Sequence, residues 1–158
     1  MYNKGDRIVY PLYGAGIIDD LEVKDIDGEA LTYYALSIPV GNLIIKVSAA
    51  KAEELGVRPV LEKDEVIGKI SAAIFASADM QDNWNLRYRE NMERIRTGDL
   101  TQVSIVFRSL LMRERERGLS TAEKKMMTTS KQIILSELIL SLNVDKTEAE
   151  NILNDIFQ

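Results

Sequence analysis

Near residue 56 the chain changes its hydrophobic period, so one regular element type cannot account for both halves. Upstream, apolar residues come in short β-branched runs broken by Gly, Pro, Asn or Asp. Arg7-Ile-Val-Tyr10 reads as a strand that Pro11 ends. Gly14-Ala-Gly16-Ile-Ile18 resumes it, and Leu21-Glu-Val23 alternates. Asp25-Ile-Asp-Gly28 predicts a tight turn, because Asp-Gly supplies the positive φ angles a hairpin needs. Thr32-Tyr-Tyr-Ala-Leu-Ser-Ile38 is the return strand, Pro39-Val-Gly-Asn42 turns again, and Leu43-Ile-Ile-Lys-Val47 follows. Four or five short strands in about 50 residues cannot make a large sandwich, and a small bent barrel of the SH3 or Tudor-like kind is the economical solution.

Downstream the texture is helical. Ser48 to Leu55 predicts a short helix closed by Gly56. Gly56-Val-Arg-Pro59 marks the boundary, since Pro59 disfavours helix in the residue before it. The expected domains are therefore 1–56 and 57–158. About five helices follow that boundary. Val66, Ile67, Ile70, Ile74 and Phe75 lie at helical spacing within 63–76. Asp82 or Asn83 caps a helix running to Arg96, with Thr97-Gly98 as its stop. Asp99 caps the next, whose stripe is Val103, Val106, Phe107, Leu110 and Leu111. Ser120-Thr-Ala-Glu123 has capping-box spacing and opens a long helix to about Leu142. Asp145-Lys-Thr-Glu148 repeats the signal for a last helix ending near Phe157. The expected fold class is α+β, a small SH3/Tudor-like barrel followed by an all-α domain.

The 158 residues contain neither cysteine nor histidine. That removes disulfides, thiolate metal sites, Cys nucleophiles, the Ser-His-Asp triad and the usual zinc and haem ligands. Gly14-Ala-Gly16 lacks the third glycine, following helix and downstream acid of a dinucleotide loop, so it reads as a turn or bulge. The acidic run from Asp19 to Glu29 lacks EF-hand spacing and reads as a solvated hairpin. A Ser or Thr nucleophile has no recognisable base beside it. The expectation is a protein without catalytic activity, cofactor or metal. The start of the chain lacks the apolar core of a secretory signal, and no apolar window is long enough to span a membrane, so a cytoplasmic location is expected.

The net charge of −5 is unevenly spread. Residues 79–132 carry 11 basic and 8 acidic side chains, whereas the segments before and after are balanced or acidic. A locally basic segment suits a small nucleic-acid footprint rather than non-specific coating, which draws on many phosphate contacts. Trp84, the only tryptophan, opens a helix and is followed by Arg87, Tyr88, Arg89, Arg94 and Arg96. Two readings stand side by side. Trp84, Tyr88, Met92 and Ile95 share roughly one helical face, which describes core packing. Alternatively the indole projects as an apolar wedge or stacking platform, with arginines gripping phosphates nearby. Lys124, Lys125 and Lys131 either extend that basic patch or serve solubility. Arg113-Glu-Arg-Glu-Arg117 reads as a solvated helix end.

The order of parts resembles the CarD/CdnL bacterial transcription regulators, whose N-terminal module is shared with transcription-repair coupling factors. The resemblance is carried by Gly5-Asp6-Arg-Ile-Val-Tyr10-Pro11 with Gly14-Ala-Gly16, Tyr34, Gly41-Asn-Leu43, Lys46-Val47 and Gly56-Val-Arg58. It continues through Asn83-Trp84, Arg87-Tyr88, Gly98-Asp99, Glu116-Arg-Gly118-Leu-Ser120 and Glu123-Lys124, so it covers essentially the whole chain. It implies that the Tudor-like domain binds the β subunit of RNA polymerase with its sheet edge, through Lys24 and Lys46. It also implies that the helical domain meets promoter DNA at the upstream edge of the transcription bubble, with low sequence specificity. Trp84 would enter the minor groove there, Arg87 and Arg89 would lie near the backbone, and Lys124 and Lys125 would extend the contact. The expected function is stabilisation of the promoter open complex without catalysis. The rival is a protein-interaction adaptor with Trp84 in its helical core and no direct DNA contact.

Overall fold

Turn chemistry and alternation set the strands in a computed structural model that describes residues 1–76 and 81–158. β1 (Arg7–Tyr10), β2 (Gly14–Ile26), β3 (Glu29–Ile38) and β4 (Leu43–Ser48) run antiparallel, each beside the next. β5 (Arg58–Pro59) returns to pair with β1, giving the sheet order β4-β3-β2-β1-β5. Asp27 and Gly28 take φ of 54° and 83°, the geometry expected of the Asp-Gly hairpin turn. A register shift between Ile18 and Asp20 divides β2 into a buried half and an exposed half that projects with β3. Ile8, Ile18, Tyr34, Leu36, Ile38 and Val47 form the core of this domain.

The segment from Ser48 to Leu55, expected as a short helix, is instead a chain of turns. Lys51 N–H donates to Ser48 O, Ala52 N–H to Ala49 O and Gly56 N–H to Glu53 O, all three residues back, and only Leu55 reaches four back, to Lys51 O. Ala52 and Val57 are drawn into the sheet core, and Gly56, at φ 82°, redirects the chain into β5. Burial has overridden local propensity here. Sheet pairing thereby continues past residue 56, as far as Pro59.

The described residues of the second half form five α-helices: α1 (Lys63–Ser71), α2 (Trp84–Arg96), α3 (Leu100–Glu116), α4 (Thr121–Leu142) and α5 (Lys146–Ile156). Asn83, Asp99, Ser120 and Asp145 each accept a hydrogen bond from a first-turn backbone N–H, as the sequence spacing predicts. Val66, Ile70, Ile95, Val106, Leu110, Ile134 and Leu138 are among the core residues they bury. The stripe expected over 63–76 breaks early. α1 stops at Ser71 and Ala72–Phe75 is a tighter 3-10 turn, which takes Ile74 and Phe75 off the buried face; Phe75 is 90% exposed.

The two halves meet where α4 crosses β2. Ala15 N–H donates to Ser136 Oγ at 2.8 Å, and Ser136 Oγ donates to Ile133 O at 2.7 Å. A side chain on Gly14, already at φ 117°, would sit 2.7 Å from that hydroxyl, so a close approach between domains requires glycine there, while Gly16 makes room for Ser37 O and Leu36 of β3. Gly14-Ala-Gly16 is the start of strand β2 rather than the turn or bulge expected of it. Glu137, 1% exposed, accepts from Arg58 Nη1 and Nη2 at 2.8 Å each and from Leu61 N–H at 2.9 Å. Arg58 also donates to Gly98 O, Arg7 to Leu140 O, and Ser141 to Leu61 O. Val9, Ala15 and Leu140 form a small apolar cluster between these bonds.

Removing Glu137 leaves a largely buried guanidinium and the Leu61 N–H without their acceptor. Glu137→Ala is expected to cost about 2–3 kcal/mol, toward the lower end for a broken buried pair because Arg58 retains some solvent contact. Urea unfolding measures this, and a loss below about 1 kcal/mol would contradict the assigned role of the pair.

Candidate nucleic-acid interface

The start of α2 is set by Asn83, whose side chain accepts from Leu86 N–H at 3.1 Å and so makes Trp84 the first helical residue. At that position few preceding residues can cover a large side chain. The indole stacks on Tyr88 one turn later, with centroids 5.1 Å apart and planes at 18°. Its Nε1–H donates to Ser120 Oγ at 3.1 Å. Trp84 remains 40% exposed and lies outside the helical core, whereas Tyr88, Met92 and Ile95 of the same stripe pack into or against it.

Ser120 belongs to the capping box of α4. Its hydroxyl accepts from Glu123 N–H at 3.2 Å, and its own N–H donates to Glu123 Oε1 at 3.4 Å. Glu123 in turn holds Arg87, with Nε to Oε2 at 2.7 Å and Nη2 to Oε1 at 3.3 Å. Both side chains are buried, and Arg87 Nη1 also donates to the carbonyls of Gln81 and Asp82. Arg87 was expected near the DNA backbone, but in this structure its guanidinium is committed inside the protein. The physical reason is helical phase: Arg87, Asn91 and Ile95 are the buried residues of α2 and follow one another at intervals of one turn. Arg87 therefore ties the chain that leads into Trp84 to the first turn of α4.

The remaining expected cations lie where solvent reaches them. Arg89, Lys124 and Lys125 are exposed and make no ion pair among the described residues, while Arg96 pairs with Glu93 and Arg117 lies 3.8 Å from Asp82. Sequence reasoning identified Trp84 but missed what holds it. Ser120-Thr-Ala-Glu123 was legible as a helix start, yet its bonds to Trp84 and Arg87 span 36 residues and have no local signature.

On the sheet, the register pairs Glu22 with Tyr33, Lys24 with Leu31 and Ala35 with Lys46. Directly paired residues share a face and alternate residues return to it, so Lys24 and Lys46 lie on one face, opposite the domain core. Lys24 Nζ sits 5.3 Å from the Tyr33 ring centroid, and Lys46 pairs with Glu22. An exposed pair of this kind contributes only about 0–1 kcal/mol, so it exchanges readily for another carboxylate. β4 is an edge strand that also exposes Leu43 and Ile44. Among the described residues no helix is long and apolar enough to cross a membrane, and no three acidic side chains converge as a metal site would require.

The network around Trp84 should respond to acid. Burial pushes the Glu123 carboxyl up, but hydrogen bonds from Arg87 and Ser120, with the Arg87 charge, outweigh it and hold the group below the usual carboxylate value. A depressed carboxylate stabilises the fold above its unfolded pKa, and this contribution is lost as pH falls through the folded value. As pH falls through that depressed value, below the ordinary carboxylate range, Trp84 emission should therefore shift as the Ser120 contact is lost. Glu123→Gln should show that altered emission already at neutral pH. An acid titration of Trp84 emission identical in wild type and Glu123→Gln would contradict the linkage.

The chain matches the family model of the CarD-like/TRCF RID domain over residues 2–61 and that of the CarD, C-terminal domain over residues 75–154. It is also 33% identical over 140 residues to a Bacillus subtilis (strain 168) protein described as "Putative transcription factor YdeB", covering 87% of this chain and 90% of that one. The two matches occur in tandem over the sheet and the helices whose geometry is given above. The chain thus belongs to the CarD family, a family of transcription regulators that work through RNA polymerase.

Proposed function

We propose that this protein binds the β subunit of RNA polymerase through the outward face and edge of β2–β4, with Lys24 and Lys46 as its cationic contacts. From there it stabilises the promoter open complex by placing Trp84 in the minor groove at the upstream edge of the bubble. Arg89, Lys124 and Lys125 approach the phosphates. Arg87 acts at one remove, as a positioning residue for the start of α2. The observation that carries this reading is the half-exposed indole at a helix start, stacked on Tyr88, with exposed cations close in sequence to it and to Ser120 that make no ion pair among the described residues. The adaptor reading required Trp84 in the helical core, and the indole lies outside it.

Magnitudes define what such a wedge can do. Stacking an aromatic ring on a base gains roughly 1–3 kcal/mol, and separating a base step costs a few kcal/mol. The wedge therefore does not open a duplex unaided; it favours DNA that the polymerase has begun to open. Attachment to the polymerase raises the local concentration of a weak DNA contact. Preferential binding to the open complex then shifts the equilibrium by the difference in affinity, with no chemical step.

Open-complex yield with the cognate polymerase tests the reading. Trp84→Ala should lower the stimulation about tenfold, equivalent to about 1.4 kcal/mol, with an unfolding midpoint close to wild type. Lys46→Glu should raise the protein concentration needed for half-maximal stimulation while leaving the plateau near wild type. If Trp84→Ala stimulates as well as wild type, the DNA contact lies elsewhere. If Lys46→Glu lowers the plateau alone, the sheet face is not the tether.

A further inference from the structure

The loop joining β1 to β2 holds two large apolar side chains at the surface, Leu12 and Tyr13, 37% and 47% exposed. Leu12 does so at φ 78°, a left-handed conformation that a leucine adopts only at a cost. The loop is anchored on both sides, since Pro11 lies against Gly98 and Gly14 against Ser136. Beside it is a cavity of about 510 Å³, large enough for a small organic ligand. Leu12 and Tyr13 line it from the sheet domain, Tyr88 and Met92 from α2, and Lys125 and Met126 from α4. Tyr88 is also the ring on which Trp84 stacks, so cavity and wedge adjoin.

The lining selects its occupant. Two aromatic rings and two thioethers offer flat, polarisable surface, and Lys125 supplies a cation that makes no ion pair among the described residues, in a chain of net charge −5. A bare aliphatic chain leaves the lysine unused, and a bare phosphate leaves the rings unused. A nucleobase on its phosphodiester uses both. A base inside a duplex is stacked and cannot enter a concave site, so the occupant must already be unpaired.

Building on the DNA reading above, we propose that this cavity takes one unpaired base of the opened promoter, next to Trp84. The wedge favours only DNA that is already open, and a further contact that the closed duplex cannot make deepens that preference. An unpaired base in this cavity is such a contact, and it makes Tyr13 a nucleic-acid ligand contributed by the polymerase-binding domain.

The test uses the full chain, the cognate polymerase and promoter fragments carrying single abasic sites scanned through both strands across the upstream bubble edge. Wild-type stimulation of open-complex lifetime should fall about tenfold at one abasic position. Tyr13→Ala should lose a similar factor on intact DNA and nothing further at that position. Ala122→Leu, which fills the same cavity and leaves every ring in place, should reproduce the pattern should Tyr13→Ala prove unstable. If wild-type stimulation is indifferent to every abasic site, the proposal fails. It fails equally if Tyr13→Ala weakens stimulation by the same factor on all templates, abasic position included, since a protein surface then fills the cavity. Trp84→Ala separates the two levels: with Trp84 essential and Tyr13 neutral, the wedge stands and the base site falls. If neither matters, the DNA reading itself is overturned.

Discussion

Burial of α4 on every side from Ile133 to Leu138 is the constraint around which the rest of the molecule is arranged. A helix with no solvent face through its middle must have neighbours all round it, and here they come from both domains. Its last turns hold the sheet through Ser136, Glu137 and Leu140, and the segment after β5 through Ser141. Its first turn holds α2 through Ser120 and Glu123. At 22 residues it spans about 33 Å, so one rigid element fixes the distance between the outward sheet face and Trp84. A wedge delivered by a tether depends on that distance, because effective concentration falls sharply when the span does not match the sites being bridged.

If the protein touches DNA as proposed, the same packing explains how an acidic chain keeps its basic contact small. Arg7, Arg58 and Arg87 are spent on the protein's own carbonyls and carboxylates. Arg89, Lys124 and Lys125, which make no ion pair among the described residues, lie within a few residues of Trp84 or of its anchor Ser120. A footprint of about three phosphates gives a shallow salt dependence and little free-standing affinity. On this reading location comes from polymerase, and the DNA contact supplies only the difference between open and closed states.

Local rules were legible in the sequence. The Asp-Gly hairpin, the alternating strands and the four helix caps at Asn83, Asp99, Ser120 and Asp145 all occur where side-chain chemistry and spacing predict them. The failures share one cause, the pull of distant residues. Ala52 and Val57 belong to a core assembled by strands far along the chain, so 48–55 turns instead of coiling. Phe75 has helical spacing but no partner surface to meet. In the candidate site, Trp84 could be found from its solitude and its basic neighbours. Arg87 could not be told from Arg89 by composition, since only helical phase and the position of Glu123 send one inward and leave the other in solvent.

A minor-groove contact reads sequence poorly, because A·T and T·A present nearly the same acceptors there. Discrimination between promoters must then come from the DNA itself, from how readily each upstream edge opens and how far its open complex lies from the balance point. Where opening limits initiation, a fixed bias toward the open state raises output. Where the open complex is already stable, the same bias deepens a well from which polymerase must escape, and output falls. On the proposed reading, opposite effects at different promoters follow from one geometry, with no second conformation of the protein required.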